Sequence, residues 1–287
     1  VDVVNLPGLM LLGAAPAIRS ALKVPVVCTL SGEDIFLDDL REPYRTQAFE
    51  LIRSHAGSVD AFIATSRYYA DHAAAHFGLP RERIHVVPLG IHAEDFAGPA
   101  TSARGPFTIG YLARICPAKG LMKLCEAAAE LRRNGHEIRV VAAGYLGASD
   151  RGYFDEVRRL VRAQGLDGVF EYRGEVDRAG KLELLRSSHV FSVPTVYHEA
   201  KGLYVIEAMA AGVPVVQPRH GSFPELIEAT GGGLLYDPAS PRELVAAIEK
   251  LMGDEGLRRT LGENGRIGVR AGFTDEVMAE KTWAVFE

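Results

Sequence analysis

Residues 193–217 read VPTVYHEAKGLYVIEAMAAGVPVVQ, and this stretch decides the fold. A short apolar run ends at Pro194, a polar loop carries Glu199, Gly202-Leu203 opens a helix, and Gly212-Val213-Pro214 leads into a second apolar run. Strand, loop, helix, strand is one repeat of a parallel α/β sheet, because neighbouring parallel strands need a long crossover and a helix usually supplies it. Working outward, the alternation continues. Residues 108–112, 138–143, 190–193 and 213–216 read as buried strands. One helix face is marked by Leu121, Leu124, Cys125, Ala128 and Leu131, another by Phe154, Val157, Leu160 and Val161, and residues 202–211 form a third helix. Ser240-Pro241-Arg242-Glu243 has the form of a capping box with Pro at the first helical position.

Toward the amino end, residues 25–30 (PVVCTL), 61–65 (AFIAT) and 84–88 (IHVVP) read as short strands. Tyr44, Ala48, Leu51, Ile52 and His55 share a helix face, while Ser66 caps the next helix and Gly78 with Pro80 ends it. Residues 97–106 (AGPATSARGP) lack any apolar period and read as a linker. The expected organisation is therefore one domain over 1–98, a linker over 99–106 and a second domain over 107–270. A closing helix over 271–287 carries Trp283 and Phe286 as packing residues. Two Rossmann-like, doubly wound parallel-sheet domains should face a cleft, with ligands bound beyond the carboxyl ends of the strands.

At 287 residues, the length also suggests two domains of about 150 residues each. A hydrophobic share of 47% and a charged share of 24% exclude disordered, collagenous and coiled-coil classes. Lys and Arg total 32 against 37 Asp and Glu, so no basic excess points to nucleic acid. The longest uncharged run, residues 3–18, is broken by Asn5, Pro7 and Pro16 and falls short of the ~18 apolar residues of a membrane span. Residues 1–98 show no polybasic stretch, although peripheral membrane contact stays open. Cys28, Cys116 and Cys125 share no CxxC spacing, which argues against a disulfide framework or structural zinc and fits a cytoplasmic protein. His72 and His76 lie one helical turn apart without a third ligand nearby, so they read as a plain helix face and no metal site is expected.

The chemistry should sit in the loops after the strands. Glu199 lies before the 202–211 helix and Glu207 on its first turns, so both carboxylates can face one ligand. A carboxylate only accepts hydrogen bonds, which suits Glu207 to paired ribose hydroxyls and Glu199 to a sugar hydroxyl. The unpaired N–H groups at that helix start suit an anion such as phosphate. In IGYLARICPAKG, residues 109–120, Arg114 and Lys119 lie between a strand end and a helix start, where a planar guanidinium and a point-charge ammonium suit a diphosphate. Cys116, between them, reads as a bystander. The turn Arg219-His220-Gly221-Ser222 follows a strand and is open to two readings, a contact to sugar hydroxyls through His220 or an ordinary turn.

With these segments in place, the sequence resembles the retaining glycosyltransferases of family 4, group 1, which have the GT-B fold. The likeness runs through VVCTLSGEDIFL, FIATSRYYADH, IHVVPLGIHAEDF, ARICPAKG, HEAKGLYVIEAMAAGVPVV and TDEVMAEKTWAVFE. The E-x7-E pattern followed by GxPVV is specific to the family, and R-x4-K-G strengthens it. The resemblance implies hexosyl transfer from a nucleotide-diphosphate sugar to a glycan, lipid or small-molecule acceptor, with retained configuration and no metal or other cofactor. It implies that Arg114 and Lys119 neutralise the diphosphate, that Glu199 contacts the donor sugar near the reacting centre, and that Glu207 holds the ribose. It also implies that the backbone of Gly202, Leu203 and Tyr204 contacts phosphate and sugar, and that Val176 packs on the nucleobase. The chain contains no D-x-D triplet of the metal-dependent transferases. Where the family commonly carries His near the donor sugar, this chain has Ser31, followed by Gly32. The family's opening strand–helix units are not recognisable, so the first domain is expected to be incomplete. Two alternatives stand beside transfer: other sugar-nucleotide chemistry on this fold, as in an epimerase or phosphorylase, or a nucleotide-sugar-binding module with little catalysis.

Overall fold

The computed structural model describes residues 1–96, 98 and 105–287. Most of the expected linker, residues 97 and 99–104, lies outside the described residues. The chain divides into two compact units, Val1–Gly90 with Phe273–Glu287, and Ile91–Gly272.

The first unit contains a four-stranded parallel sheet of β1 (Val4–Leu6), β2 (Val26–Leu30), β3 (Ala61–Ala64) and β4 (Ile84–Val86), in that spatial order. Val26, Val27, Cys28 and Leu30 of β2 are all buried, which explains why this strand is a continuous apolar run rather than an alternating one. The helices are α1 (Ala15–Leu22), α2 (Asp34–Leu37), α3 (Tyr44–His55) and α4 (Arg67–Phe77). α4 starts where the Ser66 hydroxyl accepts the Tyr69 N–H at 3.1 Å and stops at Gly78, whose φ of 71° is left-handed. It buries Tyr69, Ala70, Ala73 and Phe77, a helical-period stripe. On its outer side His72 and His76 stack at 5.0 Å, each beside an aspartate, Asp34 and Asp38.

The second unit holds six parallel strands: β5 (Phe107–Leu112), β6 (Ile138–Ala143), β7 (Phe170–Tyr172), β8 (Val190–Phe191), β9 (Val215–Pro218) and β10 (Gly233–Tyr236). Their order is β10-β9-β8-β5-β6-β7. The chain winds outward from β5 through β6 to β7, returns to the other side of β5 as β8, and winds outward again. The reversal between β5 and β8 is a topological switch point, where the following loops diverge and leave room for a ligand. α5 (Leu121–Arg133), α6 (Arg151–Ala163), α7 (Arg178–Arg186), α8 (Leu203–Ala210), α9 (Phe223–Thr230), α10 (Pro241–Gly253) and α11 (Glu255–Gly272) connect and flank the strands. α10 begins at the expected place, but without the reciprocal capping box. Ser240 makes no side-chain cap, and the Glu243 carboxylate instead accepts the Asp237 N–H at 2.7 Å.

The closing helix, α12 (Asp275–Phe286), belongs to the first unit. Met278, Val285 and Phe286 pack against Val27, Ile63 and Val87. A Cβ on Gly90 would come within 2.1 Å of the Thr274 carbonyl, so only glycine permits that approach. The expectation that Trp283 packs inward is corrected: it is 64% exposed, and its indole N–H donates to Glu287 at 2.6 Å. All three cysteines are buried and unpaired. Burial pushes the Cys28 thiol up to about 12, and the neighbouring Glu33 carboxylate adds to the shift. No helix among the described residues is long and apolar enough to cross a membrane.

Replacing Ser66 with Ala should cost about 1 kcal/mol through the lost α4 cap. Urea unfolding checks this; an unchanged midpoint would show that the cap contributes nothing.

Candidate functional site

The loops after β5 and β8 are locked together at the switch point. Gly120, with φ of 68°, lies so close to the second loop that a Cβ would meet the Pro194 carbonyl oxygen at 1.9 Å. The Val196 N–H donates to the Ala118 carbonyl at 2.9 Å. Beneath them the buried Tyr111 hydroxyl is 3.4 Å from the Arg114 carbonyl and 3.3 Å from that of Lys119, so its one proton is shared between the two ends of the β5 loop.

This packing brings Lys119 and Glu199 into contact across 80 residues of sequence. Glu199 is only 6% exposed. Its Oε2 takes the Lys119 ammonium and the Tyr204 hydroxyl, the latter at 2.8 Å, while Oε1 meets, among the described residues, the Lys201 N–H at 3.4 Å. Burial alone would raise the Glu199 carboxyl, but the Lys119 charge and these donors outweigh it and hold the group below the usual carboxylate range. Burial and the Glu199 charge push Tyr204 well above its ordinary value, so it stays a neutral donor. The Lys119 ammonium also lies 5.2 Å from the centre of the Tyr204 ring, in cation–π range.

Glu207, buried on α8, accepts the Lys181 ammonium of α7 at 2.6 Å. α8 itself opens at Gly202, in the left-handed region with φ of 66° and no side-chain cap, so its first N–H groups await an outside acceptor. Val176 sits between β7 and α7, half-buried, where a Cβ on Gly180 would approach it to 3.1 Å. Val176 therefore lies just before the α7 cap, Asp177, and Lys181 one turn into the helix. Arg114 does not join the buried pair; it is half-exposed and donates to Asp150 at 3.1 Å. The guanidinium stands half in water, where its charge is screened, so an incoming anion can compete for it with Asp150.

His220 acts as a strut. Its Nε2 is 3.0 Å from the Thr195 carbonyl, and its ring stacks on His198 at 4.5 Å. Burial, with His198 close by, lowers its pKa, so it is neutral at pH 7 and donates from Nε2. The next residues clamp the Glu199 backbone: the Ser222 N–H donates to the Glu199 carbonyl at 2.7 Å, and a Cβ on Gly221 would lie 2.6 Å from Glu199 main-chain atoms.

Ser31 and Gly32 lie in the first unit, in the loop after β2. The Ser31 N–H donates to Glu33 Oε2 at 2.8 Å, and Gly32 has φ of 88°. Glu33 Oε1 accepts the Leu9 N–H at 3.2 Å, so one buried carboxylate joins the loops after β1 and β2.

The structure thus unites Lys119, Glu199 and Tyr204, places Glu207 on the adjoining helix, and leaves Arg114 on Asp150. Sequence reasoning missed Lys181, Asp150, Tyr111 and the Tyr204 side chain as participants. Lys181 and Asp150 meet their partners across separate elements, which no spacing rule joins, whereas Tyr111 and Tyr204 reach partners near them in sequence.

Two parallel α/β units, the second with its polar site at a switch point, define a sheet-based ligand-binding enzyme class rather than a helical or β-sandwich binder. Residues 94–267 match the family described as "Glycosyl transferases group 1", and residues 1–95 match "Glycosyltransferase Family 4". The chain belongs to the group 1 glycosyl transferases. It is 28% identical over 240 residues to an MMP alpha-(1->4)-mannosyltransferase of Mycolicibacterium hassiacum, covering 83% of this chain and 56% of that protein. It is 32% identical over 187 residues to a putative colanic acid biosynthesis glycosyltransferase of Escherichia coli, covering 62% and 45%. The chain spans about half the length of the curated relatives it matches. Among solved structures, Anabaena HepE in complex with UDP superposes with a TM-score of 0.87 at 19% identity, covering 99% of this chain and 78% of that one. A sucrose-phosphate synthase from Thermosynechococcus elongatus gives 0.84 at 22%, covering 99% and 73%. The architecture is that of GT-B glycosyltransferases, as the sequence resemblance implies.

Because the folded Glu199 pKa lies below its unfolded value of about 4.5, the Lys119–Glu199 tie contributes fully above that pH. It is lost as pH falls through the lowered folded value. Thermal unfolding of Glu199→Gln should therefore show a shallower loss of stability on acidification than the parent. Parallel curves would remove this carboxylate from the acid response.

Proposed function

We propose that this chain is the donor-binding and transferring part of a retaining hexosyltransferase. It moves a sugar from a nucleotide-diphosphate sugar to an acceptor hydroxyl, without a metal ion, in the cytoplasm. The observation that carries the reading is the buried Lys119–Glu199–Tyr204 constellation beside the uncapped start of α8. A donor diphosphate laid there has its growing negative charge met by Lys119, by Arg114 released from Asp150, and by the N–H groups of Gly202, Leu203 and Tyr204. Lys119 and the helix N–H groups are preorganised and cost no reorganisation as the bond breaks, while Arg114 first exchanges Asp150 for the diphosphate. Together these cationic and dipolar groups supply the charge stabilisation for which other transferases use a metal held by D-x-D, a triplet absent here.

Glu199 Oε2 is occupied, so Oε1 is the oxygen that accepts a donor-sugar hydroxyl near the reacting carbon. Glu207, steadied by Lys181, accepts the ribose hydroxyls, and Val176 packs on the base. His220 acts from behind, through Thr195, rather than by touching sugar, while Ser222 of the same turn holds the Glu199 backbone. Ser31 and Gly32 are assigned to the sugar-proximal loop of the first unit, with a serine hydroxyl in place of the imidazole usual in the family. The UDP and UDP-glucose bound by Anabaena HepE support a nucleotide-sugar donor for this family member.

Calorimetric titration with UDP, GDP and ADP should show one nucleotide binding best. Glu207→Ala and Arg114→Ala should each weaken it about tenfold, the loss of a charge-assisted contact. With an α-linked sugar nucleotide and an acceptor, an α-linked product formed equally well in EDTA supports retention without metal. An isomerised or phosphorolysed sugar instead selects the epimerase or phosphorylase reading, and binding without turnover, even in Ser31→His, selects the binding module.

A further inference from the structure

α6 and β7 border a half-open pocket of about 380 Å³, within the ~300–1,000 Å³ range of small-molecule sites. It is distinct from the loops at the switch point. Phe170 opens β7 at its amino end, whereas Val176 follows the carboxyl end of the same strand.

The floor of the cavity is aromatic and apolar. Phe170 and Tyr172 point to one side of β7 by strand alternation, while Glu171 between them turns to Arg139 and Arg173 on the other. Phe154 and Val161 of α6 face them, both buried, and the Phe154 and Tyr172 rings lie 4.6 Å apart at 57°. The Tyr172 hydroxyl is taken by the Gly144 carbonyl at 2.7 Å, so the ring is fixed.

The rim is cationic. Arg158 and Arg162 stand one helical turn apart on α6, and neither forms an ion pair among the described residues. Arg159, between them in sequence, pairs with Glu156 at 3.8 Å and is not among the lining residues. Like charges at this spacing repel. The one carboxylate on the rim, Asp167, also forms no ion pair among the described residues, so the rim carries a net positive charge.

We propose that this cavity binds a small aromatic phosphate, with its ring on the Phe154, Phe170 and Tyr172 floor and its phosphate held by the Arg158 and Arg162 guanidiniums. Planar guanidiniums match phosphate oxygens bidentately, and a flat ring suits an aromatic floor whose geometry is already set. The proposal stands apart from the donor reading.

The test is calorimetric titration of the full chain with phenyl phosphate at low ionic strength. One saturable site is expected, weakened about tenfold by Arg158→Ala or Arg162→Ala and unchanged in Arg159→Ala. Both arginines are exposed, so the variants should melt as the parent does. Four results would overturn the proposal: no saturation, an equal loss in Arg159→Ala, inorganic phosphate binding as tightly as phenyl phosphate, or a loss in Glu207→Ala instead of the arginine variants. The last would move the ligand to the donor site.

Discussion

The second unit depends on one constraint, the locking of the β5 loop to the β8 loop at the sheet's switch point. Gly120 lets one backbone come against the other, and the Ala118–Val196 hydrogen bond fixes the register. Only then can an ammonium and a carboxylate so distant in sequence share a largely buried contact. A buried ion pair is costly to assemble because both charges lose water. Here the cost is offset by further donors, the Tyr204 hydroxyl and the Lys201 N–H, and by the ring face under Lys119. The result is a site whose polar atoms are set before any ligand arrives.

The surrounding elements reinforce that setting from three sides. Tyr111 holds both ends of the β5 loop from below. The β9–α9 turn grips the Glu199 backbone, with His220 braced on Thr195. α7 delivers Lys181 to Glu207, so the two glutamates of the E-x7-E pattern each have a lysine partner from a different element. The cations near the proposed diphosphate seat are thus paired with carboxylates of unequal burial. Lys119 is held in place, and Arg114, half-exposed beside Asp150, is free to exchange partners.

Several features were legible from residues alone for plain reasons. Parallel strands buried on both faces leave continuous apolar runs, as in β2 and in residues 140–143 of β6, and these stand out between glycines and charged helices. β7 was not legible: its three residues, Phe-Glu-Tyr, are all half-buried and carry no run. The start of α10 was legible from Ser240 to Glu243, but its hydrogen bonds were not, because Glu243 prefers the Asp237 N–H of the preceding turn. Trp283 misled because an indole is usually a core group. Here its helix turns Met278, Val285 and Phe286 to the sheet and leaves the ring outside.

The sequence by itself determined the parallel α/β class, placed Arg114, Lys119 and Glu199 in loops after strands and put Glu207 on the helix that follows, because hydrophobic period and turn residues are local properties. The tertiary structure decided which charges meet. Lys119 goes to Glu199, Lys181 to Glu207 and Arg114 to Asp150, and His220 serves as a brace. Those pairings depend on the order in which strands assemble and on how closely two loops can approach, and neither is written in the spacing of residues along one chain.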